Sequence, residues 1–139
     1  MKTFREDYKT GMLNENRHLE TLKSFFNDTT IAKDPNKYAP IDYIGKHYYE
    51  MKSRNVKANT YPDTIISKHK IDSYNRMNST KDFYLIFPFT DCIKYVKYDK
   101  EVFETIKCEP FKRHQRSDYN DKEVLYYFIP ISILKTIEC

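Results

Sequence analysis

Asp42, Glu50 and Lys52 are the residues whose types and spacing most clearly suggest chemistry. They lie in the stretch Asp42-Tyr43-Ile44-Gly45-Lys46-His47-Tyr48-Tyr49-Glu50-Met51-Lys52. If Tyr48 to Lys52 is extended, strand alternation puts Glu50 and Lys52 on one face. A reversal at Gly45-Lys46 then brings Asp42 opposite Glu50 or its neighbour, so two carboxylates and an ammonium converge. Carboxylates gathered in this way repel unless a cation neutralises them, and a hard divalent ion such as Mg²⁺ or Mn²⁺ suits oxygen ligands. Such an ion lowers the pKa of a bound water and offsets charge on a phosphoryl transition state, while the lysine steadies the water or a phosphate oxygen. Phosphodiester hydrolysis needs these groups. The competing explanation is a surface hairpin with an ordinary cross-strand Glu–Lys pair.

Elements must position those groups. Leu19, Leu22, Phe25 and Phe26 recur at spacings of three and four, which predicts a helix over 14–26 with Glu15 and Glu20 beside its apolar stripe. Residues 28–38 are polar and read as a loop or short irregular strand. Ile41–Ile44 and His47–Lys52 predict an antiparallel hairpin in which Gly45 relieves a tight turn. Tyr61-Pro62-Asp63 reads as a helix start, with Ile65, Ile66 and Ile71 facing inward and Lys68, Lys70 and Arg76 nearer solvent. Phe83–Phe89 predicts a strand buried on both faces, paired with Ile93–Tyr98. A short helix over 100–107, a charged segment over 110–123, a strand over 124–129 and a closing helix over 131–137 complete the expectation.

Composition bounds the function. A length of 139 residues suits one domain, 1–139, and 13 Tyr and 9 Phe offset an apolar fraction of only 40%. No apolar run approaches a membrane span and Met1–Asp7 lacks a signal core, so an intracellular protein with no membrane partner is expected. Cys92, Cys108 and Cys139 fit neither a Cys-x-x-Cys nor a zinc pattern and are expected to be free thiols. Only two glycines occur, and the phosphate loop, the dinucleotide turn and the His-Glu-x-x-His helix are all missing. His114 lies in a basic run without a nucleophile elbow and reads as a solvated or phosphate-contacting group. The net charge of +4 matters only if basic groups cluster. They do so at Lys52-Ser53-Arg54-Asn55-Val56-Lys57 and at Lys112-Arg113-His114-Gln115-Arg116. Arg54, Lys57, Lys70, Arg113 and Arg116 are the candidates to hold a nucleic-acid backbone, and Tyr61 is a candidate to stack on an unpaired base.

Pro40-Ile41-Asp42 followed by Tyr49-Glu50-Met51-Lys52-Ser53-Arg54 resembles the core motif of the PD-(D/E)XK nuclease superfamily. Asn14-Glu15, Tyr61-Pro62-Asp63-Thr64 with Lys70 downstream, and Tyr127-Phe128-Ile129-Pro130-Ile131 extend the likeness to its small viral and phage-type members over nearly the whole chain. Ile41 between Pro40 and Asp42 is a departure at a proline known to vary. The resemblance implies a restriction-endonuclease-like α/β fold: a central mixed sheet of four or five strands flanked by helices, with the acids at one sheet edge. It implies that Asp42, Glu50 and the Met51 carbonyl bind metal and that Lys52 is the catalytic lysine. The family's helical glutamate maps to Glu15 ahead of Glu20.

The expected function is Mg²⁺- or Mn²⁺-dependent cleavage of phosphodiester bonds, with DNA favoured over RNA, by a nuclease that resembles family members acting as homodimers. The rival is a catalytically inactive nuclease-fold module that binds nucleic acid or serves as a subunit of a viral or host-interference complex. A structural or interaction protein, the third reading, would lack affinity for nucleic acid at moderate salt.

Overall fold

The computed structural model describes residues 16–36, 38–111 and 124–139. Helical residues 16–25 (α1) are followed by β1 (Ala32–Lys33), β2 (Tyr43–Ile44), β3 (Tyr48–Met51), β4 (Asp63–Ser67), α2 (Lys68–Met77), β5 (Phe83–Pro88), β6 (Ile93–Lys97), α3 (Lys100–Glu104), β7 (Cys108–Pro110), β8 (Leu125–Pro130), a 3₁₀ turn (Ile131–Ile133) and β9 (Lys135–Glu138).

The strands form two sheets rather than one sheet of four or five. The larger has six strands in the order β1-β2-β3-β5-β6-β9, and the smaller is β4-β8-β7. Among the described residues only β3 and β5 pair in parallel, which makes the larger sheet mixed. β5 is covered on both faces, as its unbroken apolar run predicts. Phe83, Leu85 and Phe87 join Ile66 and Ile71 and Ile129 in one core. Ile86 joins Leu22, Tyr43 and Tyr49 in the other, where α1 lies. The β-hairpin and the β5–β6 pair match the sequence expectation, and the helix expected over 100–107 is present as the shorter α3.

Two predicted helical stretches are wholly or partly strand. Residues 63–67 form β4, with Thr64 and Ile66 buried and their neighbours half-buried. The β-branched run Thr64-Ile65-Ile66 fits a pleated surface better than a helical turn. α2 therefore begins only at Lys68 and ends at Asn78, whose left-handed backbone (φ 49°, ψ 40°) closes the helix. Residues 131–137 form a single 3₁₀ turn and then β9, which pairs with β6.

The β6–β9 register sets Ile93 opposite Glu138, and the flanking Cys92 and Cys139 are joined as a disulfide. This corrects the expectation of free thiols for that pair. Nothing in a spacing of 47 residues announces the pairing, because it depends on a strand at 135–138 that the sequence presents as helix. Cys108 is a free thiol. No helix among the described residues is long and apolar enough to cross a membrane.

Candidate active site

The hairpin that carries the acids is held from behind by Asp28. This carboxylate is fully buried at the end of α1 and accepts hydrogen bonds from Lys46 N (2.7 Å), Tyr49 Oη (2.9 Å), Thr30 N (3.0 Å) and Thr30 Oγ1 (2.5 Å). Burial alone would raise its pKa, but these donors outweigh it and hold the group at about 2. Burial and the neighbouring Asp28 push the Tyr49 phenol up. Gly45 has no positive φ. It is required instead by close approach, since a Cβ there would overlap Asp28 Oδ2 and press on Ile31 Cγ1 at 3.0 Å.

The resulting register pairs Tyr43 with Tyr49 and Ile44 with Tyr48, so the next position outward sets Asp42 across from Glu50. The Asp42 amide donates to Glu50 Oε2 at 3.2 Å. Glu50 lies on β3, an interior strand paired with β2 and β5, rather than at a sheet edge. It is only 1% exposed.

Glu50 Oε1 is buried without a hydrogen bond, yet two ammonium groups face it. Lys70 Nζ stands 3.3 Å away and Lys52 Nζ 3.5 Å. Lys70 also donates to the Pro40 carbonyl at 2.9 Å, which ties α2 to the segment leading into Asp42. Burial raises the Glu50 pKa and Asp42 raises it further, while Lys70, Lys52 and the Asp42 amide pull it down. The anion is held in place by positive charge but remains disfavoured overall.

Beyond Met51 the chain stays beside β5, with Lys52 N donating to Ile86 O (2.9 Å) and Arg54 N to Pro88 O (2.8 Å). Glu50, Lys52 and Arg54 therefore alternate on the side that faces α2 and β4, while the Met51 side chain joins the α1 core. Arg54 Nε donates to Thr64 Oγ1 (3.1 Å), its Nη2 donates to the Ile65 carbonyl, and its guanidinium lies 5.6 Å from the centre of the Phe87 ring. The arginine thus straps the continuation of β3 to β4. Lys57 is exposed near the same strap.

The predicted residues divide accordingly. Asp42, Glu50, Lys52 and Lys70 converge, with Lys70 at the carboxylate rather than out on the surface. Arg54 and Lys57 lie farther along. Glu20 is exposed and pairs with Lys23 at 3.3 Å. Glu15, Arg113, His114 and Arg116 lie outside the described residues. Asp28 was not anticipated, because a lone acid in a polar loop gives no sign of Lys46 and Tyr49, the two partners that tertiary folding adds to the local Thr30.

Among the described residues no three His, Cys, Asp or Glu side chains cluster as a ready metal cage. Two carboxylates, one of them with an oxygen lacking a hydrogen bond, make an all-oxygen donor set that fits a hard cation completing its shell with water or substrate. A family model described as "Phage putative PDDEXK endonuclease" matches residues 3–137. The chain belongs to this phage PDDEXK family. Its mixed α/β architecture accords with that membership, although the main sheet has six strands. No curated protein and no solved structure matches the chain.

Proposed function

We propose that this phage PDDEXK protein is a nuclease that hydrolyses phosphodiester bonds with the help of Mg²⁺ or Mn²⁺, acting on DNA. The observation that carries the proposal is the buried Glu50 Oε1, which lacks a hydrogen bond, faces two ammonium groups and sits across the hairpin from Asp42. Burying a second acid beside the first costs stability, and a catalytic cation site accounts for that cost. Asp42 and Glu50 would hold the ion, with the Met51 main-chain carbonyl between Glu50 and Lys52 as a third donor. The bound ion supplies Lewis-acid stabilisation of the phosphoryl oxygens and a water of lowered pKa.

The chain's own side chains do the rest. Lys52, 40% exposed, reaches out from the carboxylate to orient the attacking water or neutralise a phosphate oxygen. Lys70 holds the Glu50 carboxylate and the Pro40 carbonyl, so it keeps the two acid-bearing segments in register. Arg54 and Lys57 continue the positive strip on which a strand's phosphates can lie. Glu15, Arg113 and Arg116 keep their sequence-based roles as a supporting acid and as phosphate contacts.

The test is cleavage of labelled single-stranded, double-stranded and branched DNA and RNA with Mg²⁺, Mn²⁺ or chelator, comparing the parent with Glu50→Ala and Lys52→Ala. Metal-dependent cutting that both substitutions abolish in folded protein supports the proposal. Binding without cutting in any metal would instead identify an inactive nucleic-acid-binding module.

A further inference from the structure

The chain that leaves the acidic site runs along a cleft of about 470 Å³, of which the proposed function uses only Arg54 and Lys57. One wall comes from the chain after β3, including Arg54 and Lys57, and another from Tyr61 to Ile65 at the start of β4. Phe111 and Phe128 close it. The size falls in the range of small-ligand sites.

Its chemistry is specific. Tyr61 is 61% and Phe111 45% exposed, so two large rings stand in water where burial would be the favoured state. Phe111 meets Phe128 edge-to-face at 6.2 Å, and the Lys107 ammonium lies 4.7 Å from the centre of the Phe128 ring. Flat aromatic faces flanked by Arg54 and Lys57, with Asp63 the acid among the lining residues, match a planar ring attached to a phosphate. The position matches too. Arg54 follows Glu50 and Lys52 on one side of an extended chain, about 13 Å beyond Glu50 at 3.3 Å per residue. A strand whose scissile phosphate sits at Glu50 therefore passes the cleft mouth.

We propose that this cleft, walled by Tyr61, Phe111 and Phe128, holds an unpaired nucleobase of the strand being cut, so that the substrate is single-stranded or locally opened next to the scissile bond. The inference rests on the nuclease reading for its direction along the strand, but the binding it predicts can be measured without cleavage.

The experiment is equilibrium binding in chelator of a fluorescent single-stranded DNA, the same strand carrying 2-aminopurine, and the matching duplex. It compares the parent with Tyr61→Ala, Phe111→Ala and the conservative Tyr61→Phe. Loss of one stacking platform is expected to weaken single-strand binding about 5- to 100-fold. Duplex affinity should move less than about twofold, and the dependence on salt should stay unchanged because no phosphate contact is removed. Tyr61→Phe should behave as the parent, and the 2-aminopurine quenching seen with the parent should disappear in the alanine variants. Because Tyr61 is mostly exposed, its truncation should leave the melting temperature in place. Single-strand affinity unchanged in both folded alanine variants, or an equal loss on duplex, overturns the inference. Cleavage of the same strands with Mg²⁺ separates the two ideas. Cutting by the parent without the stacking effect removes the cleft alone, whereas the stacking effect without cutting removes the nuclease reading and leaves the cleft.

Discussion

Removing the Lys70 ammonium should reveal the cost of assembling this site, because Lys70 compensates a charge that the fold disfavours. Its Nζ stands 3.3 Å from Glu50 Oε1, a gross attraction of about 5 kcal/mol at an effective dielectric of about 20. Measured losses on breaking one side of a buried pair run to about 3–5 kcal/mol. Here Lys52 remains 3.5 Å from the same oxygen, so Lys70→Met is expected to cost about 2 kcal/mol. Glu50→Gln, the neutral isostere, removes the buried charge and its repulsion from Asp42, and should be neutral or stabilising by about 1 kcal/mol. In the Glu50→Gln background Lys70→Met should cost well under about 1 kcal/mol, which leaves a coupling of about 1.5 kcal/mol. The lost bond from Lys70 to the Pro40 carbonyl is common to both legs and cancels. The assay is urea denaturation of all four proteins in chelator at neutral pH, read by tyrosine fluorescence and circular dichroism. A coupling below about 0.5 kcal/mol, or a Lys70→Met variant more stable than the parent, would refute the assignment of Lys70 to Glu50. The same Glu50→Gln protein should be inactive, so greater stability would accompany lost function.

Three further outcomes are expected. Asp28→Asn should lower the melting temperature near neutral pH by about 7 °C, because the gap between an ordinary 3.8 and about 2 corresponds to about 2 kcal/mol in a chain of this length. The folded value is depressed, so this stabilisation is present above pH 4 and is lost as pH falls towards 2. The difference between parent and variant should shrink by about half near pH 3, and a difference independent of pH would contradict the assignment. Gly45→Ala should destabilise by about 1–3 kcal/mol through displacement of the Asp28 carboxylate and lower cleavage with it, whereas Asp28→Asn/Gly45→Ala should lose less than the sum of the two in chemical denaturation. Lys52→Met should lower the turnover rate by about 10²- to 10³-fold while melting within a few degrees of the parent, since Lys52 is 40% exposed; a turnover rate near the parent's would remove Lys52 from the reaction.

The pairing of Asp42 with Glu50 was legible because it depends on local rules: period-two alternation and a glycine turn between two acids eight residues apart. The same holds for β5, whose unbroken apolar run permits only a strand covered on both faces. Residues 63–67 were misread because a proline followed by an acid is a helix-start signal, and the competing β-branched pattern is decided only by the partner β8, whose paired residues lie 59 to 67 positions further on. Residues 131–137 were misread for a similar reason, since β9 exists through pairing with β6. Lys70 was placed on the correct helix, but its contact with Glu50 requires α2 to dock over β3. Spacing along the chain does not encode that docking.

The turn at Gly45-Lys46 joins two short strands and, in the linear sequence, looks like an outward-facing tip at which chains usually accept extra residues. Its contact with Asp28 makes it an inward-facing joint instead. Length variation among relatives, and any peptide tag or reporter inserted by an engineer, should therefore avoid this turn. The better sites are exposed connections whose main chain is not gripped from behind in this way.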